Sequence, residues 1–304
     1  MGKAVFQLDD GSVVSPSPRK VNKDESGFSP QAFAKTLSED LKANRIALPT
    51  LPDVALEALV VINDIESSVN DLVKIISRDT ALTARLIRYA NSPLYRGVNP
   101  VSSIKQAITR IGFQKVKSAV YAVSMHEVFH SPNKAIELRM ERLWMHSVKI
   151  GSTAATLAKT YTDLDPNTAL VAGLVQNVGQ IPIITKAADY PELVENSKLL
   201  DKLLSKLHGK LGQNLLRLWR FDPAIVAVTR AQQELYSERD DEPVDLVDLV
   251  QAANILTQEE SDQPQTAIDR DRVPAFARLG LPADAVSQSA AMLESSAAVA
   301  TALF

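Results

Sequence analysis

The residues spaced most like a catalytic metal set are His126-Glu127-Val128-Phe129-His130, which satisfy the pattern HExxH. On a helix, that pattern sets two imidazoles one turn apart on a zinc ion, and the glutamate activates the metal-bound water. The surroundings depart from it. Ser131-Pro132 stops the helix at once, the third histidine of a metzincin would fall on Ile136, and Glu137 and Glu141 stand too near to be the distant glutamate ligand of a gluzincin. Two histidines at a helix end are the plainer reading, with a zinc peptidase built on His126, Glu127 and His130 as the alternative. Neither a P-loop, a Gly-x-Gly-x-x-Gly turn nor a Gly-x-Ser-x-Gly elbow is present. With no cysteine in the chain, disulfides, thiolate zinc sites, iron–sulfur clusters and cysteine nucleophiles are excluded.

Any chemistry therefore falls to histidine, carboxylate and hydroxyl groups held by a packed scaffold. A chain of 304 residues and 33.1 kDa has surface enough to bury a core without covalent staples. Its 45% hydrophobic and 23% charged residues are globular values, unlike those of disordered, collagen-like or membrane-embedded chains. The net charge of -3 leaves no broad basic footprint for nucleic acid. The helix-Gly-helix stretch from Ser103 to Val123 carries only Arg110, Lys115 and Lys117 near its turn, so DNA is not an expected partner. The N-terminus has no secretory pattern, and the longest apolar stretch, Ala169 to Ile184, is broken by Gln176, Asn177, Gln180 and Pro182. A cytoplasmic location without membrane association is expected.

The periodicity is helical nearly throughout. Leu82, Leu86, Ile87 and Ala90 fall on one face behind Asp79 and Thr80, either of which can cap. Ser103 and Gln106 have capping-box spacing, with Ile104, Ala107, Ile108 and Ile111 as the apolar stripe and Gly112 as the stop. Val116 to Val123 begins the next helix. Further helices are predicted over Met140–Tyr161, Asn167–Val178, Lys198–Trp219, Pro223–Tyr236, Val244–Leu256 and Ala283–Leu303. Asp10-Gly11 between two short apolar runs predicts a β-hairpin over residues 4–14, followed by a Pro-rich linker. The expected fold class is all-α. Asn91 and Ser92 read as local caps at a helix end.

Taken together, the stretch from Leu48 to Phe129, with Leu-Pro-Thr-Leu-Pro, then Ala81 to Tyr95 behind Asp79, then Val101 to Gly112, resembles the HDOD family of bacterial signalling domains. Leu143 to Ser147, Gly173 to Gly179, His208 with Gly212 and Trp219, and Leu279-Gly280-Leu281 extend the resemblance over roughly residues 45–300. It implies a multi-helix HD-like bundle. Residues 1–28 are then an N-terminal arm and linker, and 29–304 the HDOD domain, with an HDOD-specific part to about 135 and an HD-like part from about 136.

HDOD domains are similar to HD-superfamily metal-dependent phosphohydrolases. Carried over by position, the leading histidine falls on His146 and a later one on His208. The adjacent His-Asp pair falls on Gln176 and Asn177, a His-His pair on Gln232 and Gln233, and the closing aspartate on Asn254. Neutral amides bind hard cations weakly, and without a cation no bound water is acidified for attack. The resemblance thus implies a regulatory module without catalysis, metal or cofactor, working through signalling proteins or through a nucleotide or cyclic dinucleotide held by His146, Gln176, Asn177, His208, Gln232, Gln233 and Asn254. The competing reading is a phosphohydrolase with an altered site.

Overall fold

The computed structural model describes residues 29–281 apart from 44, 46–49, 65, 93, 94, 96, 114, 232, 233, 238–242 and 260–267. The predicted hairpin, the predicted Ala283–Leu303 helix, and Gln232 and Gln233 lie outside the described residues. The chain forms two compact units, residues 1–47 and 48–304. In the first, α1 (Pro30–Lys42) starts where the Ser29 hydroxyl accepts from Ala32 N and proline occupies the first turn. Asp40 near its end accepts from Arg45 Nε at 2.7 Å.

The second unit contains α2 (Asp53–Asn63), α3 (Val69–Ile76), α4 (Thr80–Ala90), α5 (Ile104–Ile111), α6 (Val116–Val128), α7 (Lys134–Tyr161), α8 (Pro166–Val175) and α9 (Gln180–Ala187). It continues through α10 (Pro191–Glu195), α11 (Ser197–Leu218), α12 (Pro223–Ala227), α13 (Leu246–Glu259) and α14 (Pro274–Arg278), with 3-10 turns at Val228–Arg230 and Arg270–Arg272. No strand occurs among the described residues.

Short-range chemistry sets most of the boundaries. Asp79, not Thr80, caps α4, accepting from Leu82 N at 2.9 Å. Ser103 caps α5, but Gln106 completes only half a capping box, because its amide oxygen accepts from Ser102 N instead of Ser103 N. Gly112 then closes α5 at φ 90°, a left-handed setting that glycine adopts without strain. The stretch expected to be one helix over Pro223–Tyr236 breaks after Ala227, where the Thr229 hydroxyl donates to Val226 O and the backbone tightens to a 3-10 turn. Asn91 is the C-cap of α4, its backbone N–H donating to Arg88 O, but its side chain does not bond local backbone. Its amide donates to Val101 O and accepts from Val101 N, both at 2.9 Å, and so clamps a ten-residue loop.

The core is centred on the pairing of α7 with α8. Gly151 and Gly173 let the two backbones meet with no side chain between them: a Cβ on Gly173 would stand 2.5 Å from Gly151 Cα. Every residue of α8 from Ala169 to Val175 is buried. The run Pro166–Ala187 is long and apolar enough to cross a membrane, yet 83% of its most apolar stretch is buried inside the protein, as in a core helix. At the far side, Arg278 on α14 grips the buried Asp248 carboxylate of α13 through Nε and Nη2 and also donates to Pro243 O.

A methyl group at Gly173 would act against the usual helix preference. Gly→Ala within a helix ordinarily gains up to about 1 kcal/mol, whereas forcing atoms into a filled contact costs about 1–3 kcal/mol. Gly173→Ala is expected to lower stability in urea denaturation; a neutral or stabilised variant would show that α7 and α8 can separate without penalty.

Candidate functional site

Helix α8 ends at Val175, three residues earlier than its apolar pattern suggests, and residues 176–179 form a turn held by Val178 N to Val175 O and Gln180 N to Asn177 O. The turn abuts α11. A Cβ on Gly179 would lie 2.0 Å from His208 O and 2.4 Å from Gly212 N, so only glycine lets the turn approach this closely. Gln176 and Asn177 are carried on that turn, both buried.

Gln176 faces Asn254 of α13, and the two side chains form a reciprocal pair. Gln176 Nε2 donates to Asn254 Oδ1 at 3.1 Å, and Asn254 Nδ2 donates to Gln176 Oε1 at 2.7 Å. Asn254 Nδ2 also donates to Val250 O at 2.9 Å. Each amide thereby satisfies the other in a place closed to water. Asn177 accepts from Gln180 Nε2 at 3.2 Å, while its own Nδ2 has no partner among the described residues. Ser147 Oγ on α7 is in the same condition.

His208 is buried on α11. Its Nδ1 lies 2.8 Å from Leu204 O, and since a carbonyl only accepts, that nitrogen carries the proton and Nε2 keeps a lone pair. Burial holds its pKa below the ordinary imidazole value, against the raising influence of the Leu204 and Ser205 carbonyls. His146 on α7 is also held low, first by burial and then by the Lys149 charge. Both are therefore biased towards neutral imidazole.

A divalent metal at this position would need several anionic or imidazole donors turned towards one point. Gln176 and Asn254 offer two neutral carbonyl oxygens already accepting from each other, and among the described residues no three of His, Asp and Glu are grouped to hold a metal. These residues do not fit the hydrolytic metal centre of the HD type.

The HExxH residues separate. Glu127 turns to Arg85 of α4, with Nη1 to Oε1 at 3.1 Å, whereas His126 and His130 line a cleft of about 210 Å³ with Phe129, Ser131, Glu137, Glu141 and Trp144. The glutamate that would activate water is outside that cleft. Burial, and then the Arg85 charge, pushes the His126 pKa down. Sequence reading weighed Glu137 and Glu141 only as ligands at a fixed spacing and so missed that they share the cleft with both imidazoles. It also missed a buried polar knot, in which Tyr89 and Tyr95 hydroxyls donate to Asn167 Oδ1 while Asn167 Nδ2 donates to Asp165.

The HDOD domain model matches residues 48–235 of this chain. A solved structure from Shewanella amazonensis, provisionally described as a metal-dependent phosphohydrolase, is 30% identical and covers 90% of this chain and 99% of its own, at a TM-score of 0.79. An HDOD domain protein of unknown function from Geobacter sulfurreducens, 23% identical over 88% of this chain and 97% of its own, superposes at a TM-score of 0.66 and shares the fold. An uncharacterised protein of Treponema pallidum is 26% identical over 205 residues; these are 62% of this chain but only 38% of that relative's length.

Two outcomes test the geometry. Asn254→Leu orphans a buried amide and is expected to cost about 1–3 kcal/mol. The double variant Gln176→Leu/Asn254→Leu should recover much of that loss, and a double-mutant cycle in urea reads the coupling. Because His208 and His146 have folded pKa values below their unfolded ones, the unfolded chain binds more protons as the solution acidifies. Stability should be full above the ordinary value of 6.5 and fall as pH drops through it towards the folded values, with a shallower slope in His208→Gln. Denaturation midpoints across that range measure the slope.

Proposed function

This chain belongs to the HDOD domain family, and from that premise we propose that it is a non-catalytic signal-transduction module of the bacterial cytoplasm that acts by binding a protein partner or a small ligand. The observation that carries this reading is the Gln176–Asn254 amide pair, which stands where the family resemblance puts metal-binding His and Asp side chains. A carboxylate buried there would need a cation to offset its charge, whereas two amides satisfy each other. Lacking a metal-acidified water, the His146 and His208 imidazoles have no nucleophile to steer.

The unpartnered Asn177 Nδ2 supports the small-ligand branch, since a bound carbonyl or nucleobase acceptor would satisfy a donor that otherwise stays buried at a cost.

The full chain, purified without a nickel column, is expected to carry substoichiometric zinc, iron and manganese by elemental analysis. It should also leave bis-p-nitrophenyl phosphate intact when manganese is added. Turnover that disappears in His146→Ala would overturn the proposal, as would a stoichiometric metal lost in that variant. A shift in melting temperature with a cyclic dinucleotide, absent in Asn177→Leu, is the expected sign of the ligand branch.

A further inference from the structure

Helix α7 meets α8 along a seam that is tightest where Gly173 lies on Gly151, a Cβ on Gly173 standing only 2.6 Å from Gly151 N and 2.9 Å from Ile150 C. The short connection 162–165 makes the two helices antiparallel. Four residues back from Gly151 on α7, and four on from Gly173 in the turn that continues α8, therefore mark one level of the seam. Those positions are Ser147 and Asn177. At 1.5 Å of rise per residue, that level is about 6 Å from the glycine crossing. Both residues are sealed, Ser147 at 0% exposure and Asn177 at 1%. Ser147 Oγ and Asn177 Nδ2 each lack a protein partner. Other hydroxyls of α7 settle on their own helix: Ser152 donates to Val148 O at 2.7 Å, Thr156 to Ser152 O and Thr160 to Thr156 O, both at 2.9 Å. Ser147 forgoes that bond, so its hydroxyl is turned off the helix. Ser92, Ser124 and Thr153 also carry unpartnered hydroxyls. The first two belong to other elements, and Thr153, six residues on, is about 240° round α7 from Ser147. Of these groups, Ser147 and Asn177 are the two that share a level of the α7–α8 seam.

Polar groups closed off from solvent cost free energy until something satisfies them. The Asn177 carboxamide oxygen already accepts from Gln180 Nε2, which leaves its Nδ2 as a donor seeking an acceptor, while the Ser147 hydroxyl can both give and take. Leu170 Cδ1 and Leu174 Cγ would each stand 3.2 Å from a Cβ on Gly151, so the helices leave little space between them. Water is the smallest molecule that offers an acceptor to the amide and either role to the hydroxyl. A buried water takes about two to four polar partners, and this level of the seam supplies two. We propose that the seam binds one water molecule, which accepts from Asn177 Nδ2 and is hydrogen-bonded to Ser147 Oγ, tying the turn that carries Gln176 and Asn177 to α7. The site belongs to the chain without ligand and stands whether or not the small-ligand branch does. An acceptor group that reached Asn177 would take the water's place.

Crystals of the full chain, grown without nucleotide and diffracting well enough to show ordered water, are expected to hold a density peak about 2.7–3.2 Å from both Ser147 Oγ and Asn177 Nδ2. A direct bond between those two atoms, or either atom bonded to protein alone, would overturn the proposal. Stability in urea supplies a second readout through Ser147→Ala. Were the hydroxyl an orphan, removing it would raise stability, and the better helix propensity of alanine would add to the gain. With the water bound, the variant is expected to lower the folding equilibrium constant by about fivefold. The loss should be smaller in an Asn177→Leu background, where the water has already been deprived of its donor. A more stable Ser147→Ala chain, or an equal loss in the two backgrounds, would overturn the inference.

Discussion

The arrangement rests on two places where backbone meets backbone. Gly173 lies on Gly151, joining α8 to α7, and Gly179 lies on His208 and Gly212, joining the following turn to α11. Because no side chain intervenes, the five residues between those contacts have little freedom, and Gln176 is delivered to Asn254 on α13 at hydrogen-bonding distance. Interiors packed at crystal-like density transmit such constraints, so a small displacement at either crossing would spread to the amide pair.

The central site is best understood through charge. Ionised groups taken out of water need partners, and those buried among the described residues have them: Asp248, at 1% exposure, is gripped by Arg278. The Gln176–Asn254 pair stays neutral and self-contained, and the imidazoles of His146 and His208 are biased to neutrality by burial. At this position the scaffold therefore holds polar but uncharged side chains.

Much of the helical framework was legible from local patterns. Caps such as Asp79 and Ser103, and the stop at Gly112, act within a few residues and can be read without a fold. Where reading failed, a more distant or subtler competitor won. The Pro223–Tyr236 pattern gave way to a 3-10 turn when the Thr229 hydroxyl took a backbone carbonyl, and Asn91, although it caps α4, spent its side-chain amide on Val101 across a loop. The HExxH spacing was satisfied by type and distance along the chain, but Glu127 found Arg85 of another helix, which no five-residue motif encodes.

By itself, the sequence determined the all-α class, most helix starts and stops and the absence of thiol chemistry, because each of these follows from composition, periodicity or order along the chain, and its motifs carried the resemblance to the HDOD family. The resemblance also placed Gln176 and Asn254 where metal-binding His and Asp would stand. Only the tertiary structure decided that these two bond each other, that Glu127 parts from His126 and His130, and that Glu137 and Glu141 join those histidines around Trp144. The reason is physical: a side chain's partner is chosen by what the packed helices bring within about 3 Å, and that proximity, between residues as far apart as 176 and 254, has no signature in local spacing.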